Sequence, residues 1–317
     1  MIEVLNPGLL TTVQDEGRFG YQAFGLPVAG AMDNYAYLAA NILAGNPPGA
    51  AALEMTLGGG TFRFTRDSYA AICGADMQGL LNGQPLRSWT ACFVPAGSTI
   101  ELKFALNGCR TYLAVSGGLD TPVVLGSRST FTRGGLGGYE GRALKAGDKL
   151  PIGKAAKLPS QPVTLAAEFI PEYKPNISVR VMPGPQDDLF TEEGINTFFS
   201  SEYTVTPESD RMGCRLEGAT PIKHMDKPDI VSDALCRGAV QVPGHGMPIV
   251  MLADRQTSGG YAKIGTVIGP DLWKMAQITP GTKVRFIKTS DDEALTAFHE
   301  QRKMFNKIRE SVAAMFK

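Results

Sequence analysis

The residues with the greatest chemical reach lie in one stretch, ADRQTSGGYAKIG, at positions 253–265. It follows the apolar run PIVML at 248–252, which reads as a strand. Arg255 offers a planar guanidinium fork suited to carboxylate or phosphate. Gln256, Thr257 and Ser258 add amide and hydroxyl groups able to hold an amide or a carboxylate. Gly259 and Gly260 let a backbone approach a ligand closely and permit positive φ. Tyr261 and Lys263 are two apart, so an extended chain turns both to one side. A polar turn with solvated charges would use the same letters. The density of donors at the end of an apolar strand narrows the gap between these readings and leaves both open.

Weaker clusters accompany it. SDRMGCRLEG at 209–218 sets Asp210 beside Arg211, either shaping a ligand loop or forming a surface ion pair of little energetic weight. TTVQDEGR at 11–18 is followed by Asp33, which reads better as a helix cap than as a reactive group. His245 sits in the tight turn PGHG, where exposure is the simpler expectation than general-base work. Asp233, ahead of an apolar segment, is neutral. GGLGG at 134–138 lacks the Walker ending and does not match GxGxxG, so no motif indicates a nucleotide site. The three histidines lie far apart and the five cysteines form no CxxC pair, which argues against a metal site and for reduced thiols. No nucleophile elbow supports a serine triad.

These residues need a scaffold, and its pattern is mostly β. Glycines (37) and prolines (21) are frequent enough to punctuate many short apolar runs. Runs at 61–64, 69–73, 91–95, 98–104, 111–115, 179–182, 239–242 and 283–287 predict strands. Ile100, Leu102 and Phe104 should face one side, with Glu101 and Lys103 on the other. Asn82-Gly83 and Pro95-Ala96-Gly97 predict turns. Three helices are expected. The first covers 34–44, capped by Asp33 and stopped by Gly45. A weaker one covers 186–199. The third starts at the capping box Ser290–Glu293, with Leu295, Phe298, Phe305, Ile308, Val312 and Met315 at helical spacing. Continued to the end it would be about 40 Å long.

The chain also repeats itself. PVVLGSRST at 122–130 is followed by Gly137-Gly138-Tyr139 and Gly147…Lys149; PIVMLADRQT at 248–257 is followed by Gly259-Gly260-Tyr261 and Gly281…Lys283. Pro7-Gly8 with Gln14-Asp15 is echoed by Pro183-Gly184 with Gln186-Asp187. The order argues for two related β-rich domains joined across the proline-bearing stretch 159–175.

Composition limits the functions open to such a chain. Its 317 residues allow one large domain or two ordinary ones, and a 43% hydrophobic share supplies real cores. Lys+Arg and Asp+Glu balance at 31 each, without a basic stripe, which disfavours nucleic-acid binding. No run approaches the roughly 18 apolar residues of a membrane span, and MIEVLNPG lacks signal-peptide character. The expected location is cytoplasmic.

Taken together, NPGLLTTVQDEGRFGYQ, GLPVAGAMD, SDRMGCRLEG, QVPGHGMPIVMLADRQTSGGY and PGTKVRF resemble the biotin-dependent carboxyltransferase family. This is also called the allophanate hydrolase subunit 2 family, a group that includes the C-type component of 5-oxoprolinase. The resemblance implies a mainly β fold of two cyclophilin-like β-barrel domains plus a C-terminal helix, here 1–160, 176–289 and 290–317. It implies partners, the B-type component of 5-oxoprolinase (related to allophanate hydrolase subunit 1) and its A-type component. With them it implies ATP-dependent hydrolysis of 5-oxo-L-proline to L-glutamate, ATP belonging to the complex and not necessarily to this chain.

A lactam resists attack through amide resonance, and phosphorylating its oxygen makes it a better electrophile. The site then needs donors for phosphate and carboxylate, and a base for water. On residue chemistry, Arg255, Lys263, Arg211 and the amides of Gly259 and Gly260 suit the first need, and Asp210 or Asp254 the second. Gln256, Thr257 and Tyr261 would contact substrate. The family allows two alternatives. One is a carboxyltransferase component for urea or a related amide, with carboxybiotin from separate polypeptides. The other is a regulatory module paired with a kinase-inhibitor protein. Trp273-Lys274-Met275 is not a biotin-carrier Met-Lys-Met, so biotin enters only the first alternative.

Overall fold

In the computed structural model, which describes residues 1–155, 159, 161–313 and 316, the apolar runs become strands and the turn signals end them. Asn82 and Gly83 both take positive φ (50° and 79°) and join the short strands Leu80–Leu81 and Gln84–Pro85. This is the two-residue hairpin geometry whose twist matches that of strands, and it tolerates few residues beyond Asn and Gly. The chain divides into two units. One comprises Met1–Phe19, Ala29–Tyr173 and Lys303–Lys317; the other comprises Gly20–Val28 and Lys174–Arg302.

The first unit is built from two six-stranded antiparallel sheets. One runs, neighbour to neighbour, Lys149–Leu150, Ile2–Asn6, Thr61–Phe64, Thr99–Glu101, Leu80–Leu81 and Gln84–Pro85. The other runs Val163–Thr164, Thr90–Val94, Ser68–Gly74, Arg110–Val115, Ala52–Thr56 and Thr11–Gln14. Alternating residues from both sheets, including Ile2, Val4, Phe62, Phe64, Ile72 and Leu113, form one core. Full burial of Phe62 and Phe64 contributes roughly 2–3 kcal/mol each. Helix α1 (Asn34–Leu43) starts where expected, because Asp33 Oδ1 accepts the Ala36 amide at 2.9 Å. It buries Ala36, Ala39, Ala40 and Leu43.

One expectation fails in this unit. Ile100 and Leu102 are buried, but Phe104 is 66% exposed. The strand ends at Glu101, and by Phe104 the chain makes only an isolated bridge to Gly58, so the period-two alternation no longer governs it.

The second unit is a closed seven-stranded barrel. Its circuit is Asn176–Pro183, Lys263–Val267, Ala239–Gln241, Ile249–Met251, Gly213–Gly218, Glu202–Val205 and Lys283–Lys288, returning to the first strand. That last pairing, Asn176↔Lys283 through Val181↔Lys288, is parallel. A separate two-stranded ribbon pairs Asp229–Ala234 with Ser258–Tyr261.

The expected helix over 186–199 is interrupted. Residues 187–189 form a 3-10 turn, and α2 (Glu192–Ser200) begins only after Thr191, whose hydroxyl accepts the Gly194 amide at 2.9 Å. A short α3 spans Leu272–Ala276. The final α4 (Asp291–Ala313) opens with the expected capping box: Ser290 N donates to Glu293 Oε2 at 2.9 Å, and Glu293 N to Ser290 Oγ at 3.3 Å.

The buried stripe of α4 is Ala297, Phe305, Ile308 and Val312, whereas Leu295 and Phe298 are exposed. At 100° per residue, 295 and 298 fall off the arc shared by the other four, so the apolar letters overstated that face. Met315 lies outside the described residues. The protein is thus mainly β with four helices among the described residues, the last at the C-terminal side. No helix among the described residues is long and apolar enough to cross a membrane.

Candidate functional site

The polar stretch at 253–265 is not a solvated turn. Arg255 and Lys263 are each only 4% exposed. Burying a charge is costly unless it is paired or hydrogen-bonded, so their partners define the local architecture. Arg255 donates from Nε to Leu235 O at 3.1 Å and from Nη1 to Leu252 O at 3.3 Å. Burial pulls its guanidinium below the usual arginine range. Lys263 Nζ is bound to Asp233 Oδ2 and donates to Ala234 O at 3.0 Å. Both cations therefore hold the single segment 233–235, which is also tied by Leu235 N to Thr257 O at 2.9 Å.

Asp233 is the open end of this arrangement, with its side chain 50% exposed. The hydrogen bond from Lys263 holds its carboxyl below the usual range, helped by the Ala234 amide at 2.7 Å. Gln186 closes the group: its Nε2 donates to Asp233 Oδ2 at 3.3 Å and its Oε1 accepts the Lys263 amide at 3.3 Å. An ammonium, a carboxylate and a primary amide thus converge where the barrel strand Lys263–Val267 begins. Such a set can orient a ligand amide or carboxylate.

Other expected residues take different roles. Asp254 is buried, and Arg211 grips it from Nε and Nη2, both at 2.9 Å. With both carboxylate oxygens engaged it is a structural anchor, not a free base. Asp210 is exposed and uses Oδ1 to accept the Met212 and Gly213 amides at 2.7 and 3.1 Å, making its own turn. Gln256 is exposed and Thr257 half-buried. Tyr261 and Lys263 do not share a face. Tyr261 pairs with Asp229 in the ribbon and is exposed, while Lys263 pairs with Gln241 in the barrel. The change of partner at Ala262 breaks the alternation.

Gly259 and Gly260 have no positive φ; close approach explains the first. A Cβ on Gly259 would sit 2.7 Å from Gln241 Nε2 and 2.9 Å from Leu235 Cδ1. His245 is exposed in its turn, with Nδ1 accepting the Met247 amide at 3.0 Å. It lines a cavity of about 280 Å³ with Thr206, Glu208 and Arg215 that does not include the Lys263 cluster.

Asp233 and Gln186 are the residues sequence reasoning passed over. Gln186 did carry a signal, since its Gln-Asp pair repeats Gln14-Asp15. Asp233 carried none, because its partner lies 30 residues away. The cations of the cluster, Arg211, Arg255 and Lys263, are all bonded to protein acceptors. The cluster therefore does not fit a triphosphate, which demands uncommitted cations.

In the first unit the matching segment behaves differently. Asp15 is buried; Oδ1 accepts Gly17 N at 2.8 Å, Ser127 Oγ at 2.7 Å and Ser129 Oγ, while Oδ2 accepts the Arg128 amide. Gln14 Nε2 donates to Thr130 O at 3.1 Å. Arg18 donates to Val124 O and Ser129 O at 3.0 and 2.9 Å. Segment 14–18 is thereby laced to 124–130.

Residues 24–288 match the family model described as carboxyltransferase domain, subdomain A and B. Over 310 residues the chain is 39% identical to the C-type component of 5-oxoprolinase from Escherichia coli (strain K12), covering 97% of each. It is 34% identical to urea amidolyase of Saccharomyces cerevisiae over 91% of this chain but only 17% of that protein. The crystal structure of Kluyveromyces lactis urea carboxylase superposes with a TM-score of 0.92 at 32% identity; the match takes in 98% of this chain and 29% of that one. With motifs, fold and full-length similarity in agreement, the chain belongs to the carboxyltransferase-domain family, subdomains A and B.

Proposed function

We propose that the chain is the C-type component of a multi-protein 5-oxoprolinase, which hydrolyses 5-oxo-L-proline to L-glutamate with ATP and is inactive without partners equivalent to the A-type and B-type components. The 39% identity over 97% of both chains to a protein of that name carries this reading. In it, Lys263, Asp233 and Gln186 form the contact group. The half-exposed carboxylate and the amide receive the lactam and carboxylate groups of the substrate, and the lysine fixes their geometry. Arg255 and the Arg211–Asp254 pair position segments 233–235 and 210–213 and do not touch the substrate. Asp210, Gln256, Thr257, Gly259, Gly260 and Tyr261 form the rim. The engagement of every cation in the cluster supports ATP being held by another polypeptide, and no step through it is assigned to this chain.

The test is release of glutamate from 5-oxo-L-proline by the chain mixed with its A-type and B-type partners and ATP. Turnover that requires all three is expected; none, with every component folded, overturns the reading. The TM-score of 0.92 to urea carboxylase favours a second reading, a carboxyltransferase component for urea or a related amide with carboxybiotin supplied in trans. Label transfer from bicarbonate to urea, dependent on biotin-bearing partners, would establish it.

A further inference from the structure

A second polar cavity, of about 280 Å³, lies in the second unit away from the Lys263 group. Its residues come from stretches the proposed activity leaves unused, chiefly Arg215-Leu216-Glu217 and the His245 turn. Cys214 and Leu216 are buried in the barrel strand Gly213–Gly218, so alternation turns Arg215 and Glu217 outward together. Among the described residues neither of these two side chains has a hydrogen-bond or ion-pair partner. His245 is fixed in its tautomer. Its Nδ1 accepts the Met247 amide, so in the neutral ring Nε2 carries the hydrogen and is a donor. The turn beneath it is tightly held: Gly246 takes a φ of 76°, and a Cβ there would lie 2.6 Å from Pro221 Cβ.

Thr206 supplies an independent sign. It lines the cavity and is 7% exposed, yet its hydroxyl completes no hydrogen bond with the protein. The Glu208 carboxylate is near enough for that hydroxyl to hold it below the usual range, but not in bonding geometry. A buried hydroxyl left without a bond costs free energy, and a ligand can supply the bond the fold withholds.

Charge and length indicate that ligand. The lining holds one guanidinium, Arg215, and two carboxylates, Glu208 and Glu217, so its complement carries one negative and two positive charges. Arg215 and Glu217 stand two apart on one strand face, about 6.8 Å along it. An extended chain of four methylenes spans a similar length, and Met247, Pro248 and Ile249 give such a chain an apolar wall. We propose that this cavity binds a free basic α-amino acid of the lysine type. Its carboxylate accepts from the Arg215 fork and from His245 Nε2. Its α-ammonium donates to Glu208 and to the Thr206 hydroxyl oxygen, and its terminal cation reaches Glu217. The inference goes beyond the proposed activity and does not depend on it.

Isothermal titration of the purified full chain with L-lysine tests it without any activity assay. A Kd of about 10–100 µM is expected, and no heat up to about 5 mM overturns the proposal. L-Norleucine, which lacks the terminal ammonium, should bind about tenfold more weakly or worse, and L-glutamate should not compete. Norleucine binding as tightly as lysine, or glutamate displacing it, overturns the charge assignment and the proposal with it. Nα-Acetyl-L-lysine stands in for the carboxyl end of a polypeptide and should also lose about tenfold. Equal binding of that probe assigns the cavity to such an end and overturns the free ligand. Arg215→Met should raise Kd about tenfold or more, and Arg215→Lys should restore only part of the loss, because an ammonium makes no fork. Glu217→Gln serves as a second probe should the first fail to fold, and circular dichroism checks both. It should weaken lysine about fivefold and leave norleucine unchanged; unchanged lysine affinity overturns the proposal. Thr206→Val should weaken lysine about threefold without lowering the urea midpoint, since the fold itself does not satisfy that hydroxyl. A lowered midpoint with unchanged affinity counts against the site.

Discussion

The Gln-Asp pair occurs in both units, but the carboxylate at the centre of each network differs: Asp15, from the pair itself, in the first, and Asp233, from a distant strand, in the second. Around Asp15 the network is closed: the residue is buried and its carboxylate accepts two serine hydroxyls and two backbone amides. Around Gln186 it is open: the linked carboxylate, Asp233, is half in water, and a buried lysine holds it at one oxygen. A closed network has spent its hydrogen-bonding capacity on the protein, so its worth is stability. An open one retains capacity for a ligand at little cost to the fold. The glutamine of the repeated pair thus lies beside a brace in one unit, while in the other it joins Asp233, not its sequence neighbour Asp187, in a candidate contact site.

The largest effect should come from breaking the closed network. Asp15→Ala strips the acceptor from four buried or part-buried donors and should cost about 4 kcal/mol, read from urea midpoints. A loss under about 1 kcal/mol would abolish the contrast. Arg211→Ala leaves the buried Asp254 carboxylate without its bidentate partner and should cost about 3 kcal/mol in the same measurement.

Lys263→Met sharpens the comparison from the other side. Asp233 can return to water, so stability should change by less than about 1 kcal/mol, while turnover of the assembled enzyme falls about tenfold or more. Full turnover would remove Lys263 from the site. The smallest effect concerns pH. Lys263 holds the folded Asp233 carboxyl below its unfolded value of about 3.9. Its stabilising contribution is therefore present above that value and disappears as pH falls through the lower folded one. Midpoints of wild type and Asp233→Asn should differ at neutral pH and converge in acid; a gap that widens on acidification refutes the assignment.

Features decided by near neighbours were legible in the sequence. Asp33 caps α1, Ser290 and Glu293 form a capping box, and Asn82-Gly83 makes a hairpin, each set by contacts within a few residues. The strand runs at 61–64, 111–115 and 283–287 likewise emerge nearly as read. What escaped depended on distant pairing. The Lys263–Asp233 bridge spans 30 residues and the Arg211–Asp254 bridge 43. Nothing local announces that one acid will be braced and another left open. The misjudged side chains share one cause. Phe104 and Tyr261 sit where a ladder ends or changes partner, and Leu295 and Phe298 sit where a helix presents a narrower stripe than its letters suggest.

The parallel seam that joins the barrel's first and last strands has a temporal consequence. One edge of the first strand is closed by Lys283 through Lys288, so roughly a hundred residues must leave the ribosome before the cylinder can shut. Until then the strand at 176–183 has one unpaired edge during synthesis. Truncation before residue 283 should therefore yield an aggregating fragment instead of a smaller barrel.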